Sequence, residues 1–570
     1  MARAIESAGE RPFVLEEPAP GVKIQPRSRL LIYVSVLLAL LLSSLDQTVV
    51  ATALPRIVTD LQGADRYVWV VTAYMLCSTV TIPIYGKLSD VYGRKVMLLI
   101  AVGLFIAGSS LSGLSRSMDQ LIGFRALQGL GAGGFYPLAI SVVGDLFNPR
   151  ERGKYQGAIG AVAGLSFLIG PFVGGWFTEH ISWHWIFYVN IPLALLTLLA
   201  IALLLPNRRL EASRARDLDY LGVICFTAGV IPLLIGLTDK SEINSTTLQP
   251  YSWSDINVWG QMVAGTFLLL LFAVVESRAK QAIVPLDLFR KRNYALSLMM
   301  TFLVGLGAYV GVIFMPRFFQ TVHHVSATWS GYYILPALLG MMAGAIVGGQ
   351  LISRIGRYKW LLSGSLTLLI LGSYLMTHLS IGTADWTIWA WLLPIGLGIG
   401  PMITAGTVIV QSLVPAHRIG AASGSLGLFN QIGAVMGLAI VGSVFSSIFE
   451  NQLPNSLAAQ GTPPNLIPAL DKLSGVLQGV GNGQALLHSV LPASAWPLIP
   501  QITAGANDAF SQALAWSFFV TLIAGSVAFL LSLALRDSQL QGGSLAKEAP
   551  SAGIVPDQSS PRHSHRWSRR

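Results

Sequence analysis

The chain is predicted to be an all-α integral membrane protein, two pseudo-symmetric six-helix bundles plus an inserted helix pair. Three observations predict it. Of 570 residues, 53% are hydrophobic and 11% charged, whereas soluble domains carry about 25% charged residues. The apolar residues gather into about 14 runs, most near the ~20 residues a helix needs to cross the hydrocarbon core. Two short basic loops far apart in the chain also echo each other, as expected of two halves related by duplication.

Taken in order, spans one to six fall at 30–53, 68–86, 97–115, 119–141, 157–178 and 185–205, giving an N-terminal bundle over 30–205. The first is too long for the apolar region of a cleaved signal, and it runs into ALPRI rather than a small-residue cleavage site. Spans seven and eight, 219–238 and 258–276, lie in a segment 206–295 with charged, linker-like flanks. That segment is the inserted pair. Spans nine to fourteen, 296–319, 330–352, 360–379, 387–411, 421–447 and 512–535, complete a C-terminal bundle over 296–535. Between the last two runs an outer segment, 448–511, is rich in Pro, Gly, Leu and Ala. A connection this long is usually functional or disordered. Its LPASAWPLIP stretch leaves two readings open: contact with the membrane surface or an outer vestibule, and a partly ordered cap. The polar ends, 1–29 and 536–570, are rich in Pro, Ser, Arg and Gly and are expected to be disordered cytoplasmic tails.

The formal net charge of +10 invites a nucleic-acid reading, but the distribution of the bases excludes it. With the N-terminus inside, about 30 of the 37 Lys and Arg fall in inner loops and tails, which is the positive-inside rule. Both termini are then cytoplasmic, in a plasma or inner membrane. Trp69, Trp183, Trp253, Trp259, Trp386 and Trp389 fall at outer boundaries, as an aromatic belt would. Cys77 and Cys225 both lie within apolar runs, so neither a disulfide framework nor a zinc site is available. The pair His323–His324 alone makes no metal site. No Gly-rich phosphate loop followed by Lys-Ser/Thr occurs, which argues against an ATP-driven pump. No cofactor is expected; the expected partners are a lipophilic small molecule, protons and membrane lipids.

Two charges stand out because they fall deep within the runs: Asp46 and Arg125. Each costs about 2.5–3.5 kcal/mol near the bilayer centre even on lenient scales. Asp46 is about 16 residues, or ~24 Å, from the inner end of its span. Arg125 is about six residues, or ~9 Å, from the outer end of an oppositely directed one. Both therefore sit at similar depth in the outer half. Approach and separation of such a pair would switch a proton on and off the carboxylate; the bland reading is a structural ion pair. Gln47 and Gln128 beside them, and Gln411, Asn430 and Gln431 in the second half, are candidate pathway residues, although amides in spans often only join helices.

The first echoing loop is GKLSDVYGRK, residues 86–95. Gly86 and Gly93 permit a tight turn and close helix approach. Asp90 can accept from a helix N-terminus or an arginine, and Arg94 and Lys95 can bridge to another helix end. The loop could clasp the inner ends of the bundles in one state and release them in another. Its echo, GQLISRIGRYK at 349–359, keeps the seven-residue glycine spacing but has Ser353 where the first has Asp90. In span five, Gly160 and Gly164, then Gly170 and Gly174, form small-xxx-small pairs, and Pro171 favours a kink. Asp145, Glu151 and Arg152 look like a surface ion-pair cluster.

These strings resemble the motifs of the major facilitator superfamily. GKLSDVYGRK is similar to its signature loop, departing mainly at Val91, which replaces a usual base. LDQTVVATALPRI (45–57) resembles the first-span motif of fourteen-span drug:proton antiporters, and RALQGLGAGG (125–134) the fourth-span motif R-x-x-Q-G. GLSFLIGPFVGG (164–175) resembles the fifth-span antiporter motif, with Gly164, Gly170, Pro171, Gly174 and Gly175 in place. The likeness covers most of residues 30–535. It implies a proton-coupled secondary transporter, not an enzyme, exporting drugs or other lipophilic compounds by alternating access. Relatives of this subgroup also move lipids, so a lipid or glycolipid exporter is the nearest alternative. A membrane sensor or intramembrane enzyme is a more distant one: no Ser/His or His/Glu constellation falls within the spans.

Overall fold

A computed structural model describes residues 26–62, 66–206, 219–240, 251–279, 281–471, 474–477, 488 and 493–536. The tails at 1–25 and 537–570, the linker stretches 207–218 and 241–250, and much of the middle of the outer segment lie outside the described residues. Backbone amides in a bilayer core have no water to bond, so a span must satisfy them within itself. The described residues accordingly form helices throughout and no β-strand.

The first half comprises α1 (Pro26–Leu61), α2 (Tyr67–Tyr92), α3 (Arg94–Ser112), α4 (Met118–Ala132), α5 (Phe135–Leu146), α6 (Pro149–His180), α7 (Trp185–Tyr188) and α8 (Asn190–Leu204). The inserted pair is α9 (Tyr220–Lys240) and α10 (Ile256–Arg278). The second half comprises α11 (Arg292–Thr321), α12 (Ala327–Tyr333), α13 (Leu335–Ile355), α14 (Lys359–Met376), α15 (Asp385–Ser412), α16 (Ile419–Ala459) and a C-terminal helix, Ile499–Leu533. Among the described residues, thirteen segments are long and apolar enough to cross a membrane. The 30-residue α11 occupies the position of predicted span nine.

The predicted runs differ from the helices mainly in length. Span four extends through α4 and α5 to Leu146, interrupted at Gly133–Gly134. Span thirteen continues to Ala459, and the last helix begins at Ile499 rather than near 512. Much of the outer segment is thus helix prolonged beyond the apolar run: Gly505 of the last helix lies against Leu457 of α16, and Ser456 donates to Asp508 at 2.8 Å.

Each half has its own apolar core. Phe105, Phe135, Leu98 and Leu138 centre one in the first half, and Phe318, Phe445, Leu392 and Phe510 centre one in the second. Between the halves, α6 runs along α13 and α2 along α16. The inserted helices pack on each other, and α9 leans on α2 and α16, through Phe226 and Val230 against Leu76, Val80 and Leu428. Most of α10 faces outward, with Phe267, Leu270 and Val274 exposed, as a lipid-facing helix requires.

The Trp belt needs one correction. Trp69, Trp253, Trp259, Trp386 and Trp389 are exposed, but Trp183 is buried and its indole donates to Asp60 at 3.1 Å. It is an anchor of the α6–α7 turn, not a belt residue.

Candidate functional site

On α4, Arg125 and Gln128 are three residues apart and so share a helix face. Ser117 starts that helix by accepting from the Gln120 amide, as N-cap residues do. Both side chains point at α1, where Asp46 is fully buried. Arg125 Nη1 donates to Asp46 Oδ2 at 2.6 Å, and Gln128 Nε2 to Asp46 Oδ1 at 2.9 Å. Asn190, in the first turn of α8, adds a third donor, Nδ2 to Asp46 Oδ1 at 3.0 Å. Arg125 also donates to Gln128 Oε1 at 2.8 Å and to the Val70 carbonyl at 3.4 Å. Its guanidinium lies 4.2 Å from the centroid of the buried Tyr74 ring, a cation–π contact. The Tyr74 hydroxyl meets Ser43 at 3.0 Å.

The two deep charges therefore touch, and both carboxylate oxygens are satisfied. Such a pair is costly to desolvate, and removing one partner typically costs 3–5 kcal/mol because the other is left buried and unpaired. Asn190 and Tyr74 escaped sequence reasoning. The available signal for Asn190 was its being the one amide in span six. Gln47, by contrast, is exposed and lies outside the Asp46 shell, within reach of the Tyr74 hydroxyl.

At the α2–α3 turn, Asp90 closes a second cluster. Its Oδ1 accepts from the Gly420 amide at 2.9 Å and its Oδ2 from the Ala421 amide at 2.8 Å. These are first-turn donors of α16, which have no partner within their own helix, and the helix dipole favours an anion there. Arg94 binds Asp90 at 2.7 Å and Asp145 at 3.1 Å, and also donates to Ser89. Gly93 makes the α2–α3 turn with φ of 93°, a region closed to most side chains. Lys95 reaches the Ala202 carbonyl near the end of α8 at 2.6 Å, answering the unpaired carbonyls there. The charged loop thus joins α2, α3, α5 and α8 of one half to α16 of the other.

The echo loop sits in the corresponding place. Ser353 Oγ accepts from the Lys154 amide of α6 at 2.9 Å, and Arg150 donates to the Ser353 and Arg354 carbonyls, both at 3.3 Å. This join also crosses between halves, but no carboxylate takes part in these bonds.

Asp145, Glu151 and Arg152 do not form the expected surface cluster. Asp145 belongs to the Arg94 clasp, and Arg152 is spent on the Phe147 and Gly144 carbonyls, at 3.1 and 2.7 Å. Gln411 is buried and donates to the Ile140 carbonyl of α5 at 2.8 Å, tying α15 to the first half. Asn430 and Gln431 on α16 are half-buried.

The span-five motif divides its glycines between two neighbours. A Cβ on Gly170 or Gly174 would fall 2.0 Å from Thr48 or Thr52 of α1, whereas Gly160 and Gly164 face Ala345 and Leu338 of α13. Gly175 has nothing within 4 Å and does not take part in this packing. Pro171 lies inside α6, which continues unbroken from Pro149 to His180.

Residues 36–438 match the profile of the Major Facilitator Superfamily. The chain belongs to that superfamily. Two Bacillus subtilis (strain 168) relatives agree over nearly their whole length. It is 32% identical to the "Multidrug transporter protein MdtP" over 474 residues, 83% of this chain and 85% of that one. It is 32% identical to "Multidrug resistance protein 3" over 496 residues, 86% of this chain and 92% of that one. Among solved structures, the human organic anion transporter MFSD10 has a TM-score of 0.57 at 16% identity, covering 89% of this chain and 100% of that one. The proton:xylose symporter XylE has a TM-score of 0.54 at 12% identity, covering 90% and 97%. Those two likenesses concern the fold. As a superfamily member this chain is a multi-pass membrane transporter, not an enzyme.

Proposed function

We propose that this transporter is a proton-coupled exporter of lipophilic compounds, working by alternating access in the plasma or inner membrane with both termini cytoplasmic. The observation that carries the reading is the Asp46 carboxylate, wholly buried and held by Arg125, Gln128 and Asn190. A proton on Asp46 removes the charge that Arg125 was paired with. The guanidinium then keeps Gln128, the Val70 carbonyl and the Tyr74 and Phe187 faces, with no anion, so protonation favours a rearranged cluster. Two residues on, Thr48 donates to the Ser166 carbonyl of α6 at 3.2 Å and packs on Gly170. From there α6 runs to α13 and the echo loop. Movement of α1 on α6 is thus transmitted to the contact between halves, and the Asp90–Arg94 clasp holds the inner ends shut until it does.

The export direction and substrate class are supported by relatives named for multidrug transport and resistance. The charge layout agrees. Among the described residues of α11 to α16 and the last helix, the carboxylates Asp385, Glu450 and Asp508 all lie toward outer helix ends or extensions. Binding would rest on apolar surface, at roughly 25 cal/mol per Å² buried.

The test is Asp46→Asn in proteoliposomes with an imposed pH gradient, read beside substrate counterflow without a gradient. Asn keeps the size but exchanges no proton, so gradient-driven efflux should vanish while counterflow persists. Gradient-driven efflux at the wild-type rate would eliminate Asp46 as the coupling site.

A further inference from the structure

Glu276, near the inner end of α10, is 2% exposed, although it is a carboxyl on an outward-facing helix. Its Oε1 accepts from the Val284 amide at 2.6 Å. Its Oε2 is buried with no donor. Asp219, just before α9, has the same division: Oδ1 accepts from the Gly222 amide at 2.7 Å, while Oδ2 is buried with no donor. The two unpartnered oxygens face each other. They lie 2.4 and 2.9 Å from one point, the place a Cβ on Gly222 would take, and the two carboxyls are within hydrogen-bonding reach.

Two acceptors cannot bond without a hydrogen between them, and two buried carboxylates in contact repel strongly. Among the described residues no base forms an ion pair with either. On α2, Lys87 donates to Gln281 at 2.7 Å, and Tyr92 faces Tyr220 of α9. Arg418, before α16, is paired with Asp287 at 2.6 Å, and Arg278 on α10 itself is exposed. Carboxyl pairs in such settings share one proton.

We propose that Asp219 and Glu276 together bind one proton, forming a protonation site in the inserted helix pair separate from Asp46. The site has a mechanical outlet. The strap 281–291 that follows α10 is held by Glu276 at Val284, by Lys87 at Gln281, by Arg418 at Asp287, and through Lys291 to the Leu413 carbonyl at 2.7 Å. Lys87 belongs to the clasp loop, and Arg418 immediately precedes the α16 turn that Asp90 holds. Loss of the shared proton would set two buried charges against each other and loosen the Val284 end of this strap beside the inner clasp.

The experiment is infrared spectroscopy of the full-length protein in lipid, comparing wild type, Glu276→Gln and Asp219→Asn for the carbonyl stretch of a protonated carboxyl. Either amide can donate to the remaining carboxylate, so both variants should fold. Wild type should show a protonated carboxyl at neutral pH that both variants lose. Hydrogen exchange of the 281–290 amides, corrected for intrinsic rate, should rise with pH in wild type and stay flat in Glu276→Gln. Absence of the band in wild type, or its persistence in both variants, would overturn the proposal. So would stoichiometric binding of calcium to wild type that Glu276→Gln abolishes, which would make the pair a cation site instead.

Discussion

Gly86 and Gly420 meet backbone to backbone across the two halves: a Cβ on Gly86 would stand 2.4 Å from the Gly420 carbonyl oxygen, and one on Gly420 2.2 Å from that of Gly86. The echo loop repeats the contact: a Cβ on Gly349 would stand 2.2 Å from the Gly153 carbonyl oxygen, and one on Gly153 2.7 Å from that of Gly349. Gly424 and Gly157, four residues on, extend the two contacts in the same way. The halves are therefore joined by two equivalent glycine crossings, α2 on α16 and α13 on α6.

Gly86→Ala should push the first crossing apart. The obstacle is a carbonyl oxygen, which cannot swing aside like a side-chain end, and overpacking of this kind costs typically 1–3 kcal/mol. At 1.4 kcal/mol per factor of ten, the closed inner arrangement should lose about 5- to 150-fold in population. Spin labels on the inner ends of α2 and α16 should report longer distances and transport should fall. An unchanged distance distribution would refute the crossing as a gate. Gly349→Ala should act alike on α6 and α13.

Asp90→Asn should slow turnover more than it weakens substrate binding. Asn can accept only one of the two α16 amides through its carbonyl, and Arg94 loses its closest anion. Hydrogen bonds to charged groups contribute about 1.5–3 kcal/mol each. Ser353→Ala removes one neutral bond to the Lys154 amide, about 0.5–1.5 kcal/mol, and should be milder. Measuring maximal rate beside affinity decides it: a large affinity loss at unchanged maximal rate for Asp90→Asn would contradict the placement of the clasp.

These two cases mark what the sequence could and could not disclose. The loop 86–95 was legible because Gly, Asp and Arg at fixed spacing have few other uses beside a membrane. Asp46 and Arg125 were legible because charges in apolar runs are expensive. Their contact was not, since depth along two helices says nothing about rotation around them. Asn190 was hidden for a related reason: a single amide in a span usually just joins helices. Asp145 looked like part of a local charge cluster because proximity in sequence is a poor guide where a helix end meets another loop. The helical continuation of α16 to Ala459 was masked by polar residues that only stop a helix from being apolar, not from being a helix.

The fifth-span glycines should separate by position. Gly170→Ala and Gly174→Ala would place a methyl 2.0 Å from Thr48 and Thr52 hydroxyls, and for Gly174 also 2.7 Å from the Val49 carbonyl oxygen. Gly174→Ala should be the more damaging, because its second obstacle is backbone. Gly175→Ala meets nothing and replaces Gly in a helix, a change favourable by up to about 1 kcal/mol. Thermal denaturation in detergent should rank Gly175→Ala at or above wild type and Gly174→Ala below it. The reverse order would mean that α6 does not pack on α1 as described.

Asn190→Ala tests whether the third donor on Asp46 matters to coupling or only to packing. The amide donates to the oxygen that Gln128 also serves, so its removal leaves the carboxylate one bond poorer without breaking the Arg125 pair. Side-chain hydrogen bonds within membranes average about 0.6 kcal/mol and reach about 1.7. Because that bond helps hold the carboxylate in the Arg125 cluster, its loss should lower gradient-driven efflux relative to counterflow measured without a gradient. Substrate affinity should stay near wild type. A cavity effect alone would lower stability and leave the ratio of gradient-driven efflux to counterflow in place, so an unchanged ratio in a folded Asn190→Ala protein would reduce Asn190 to packing.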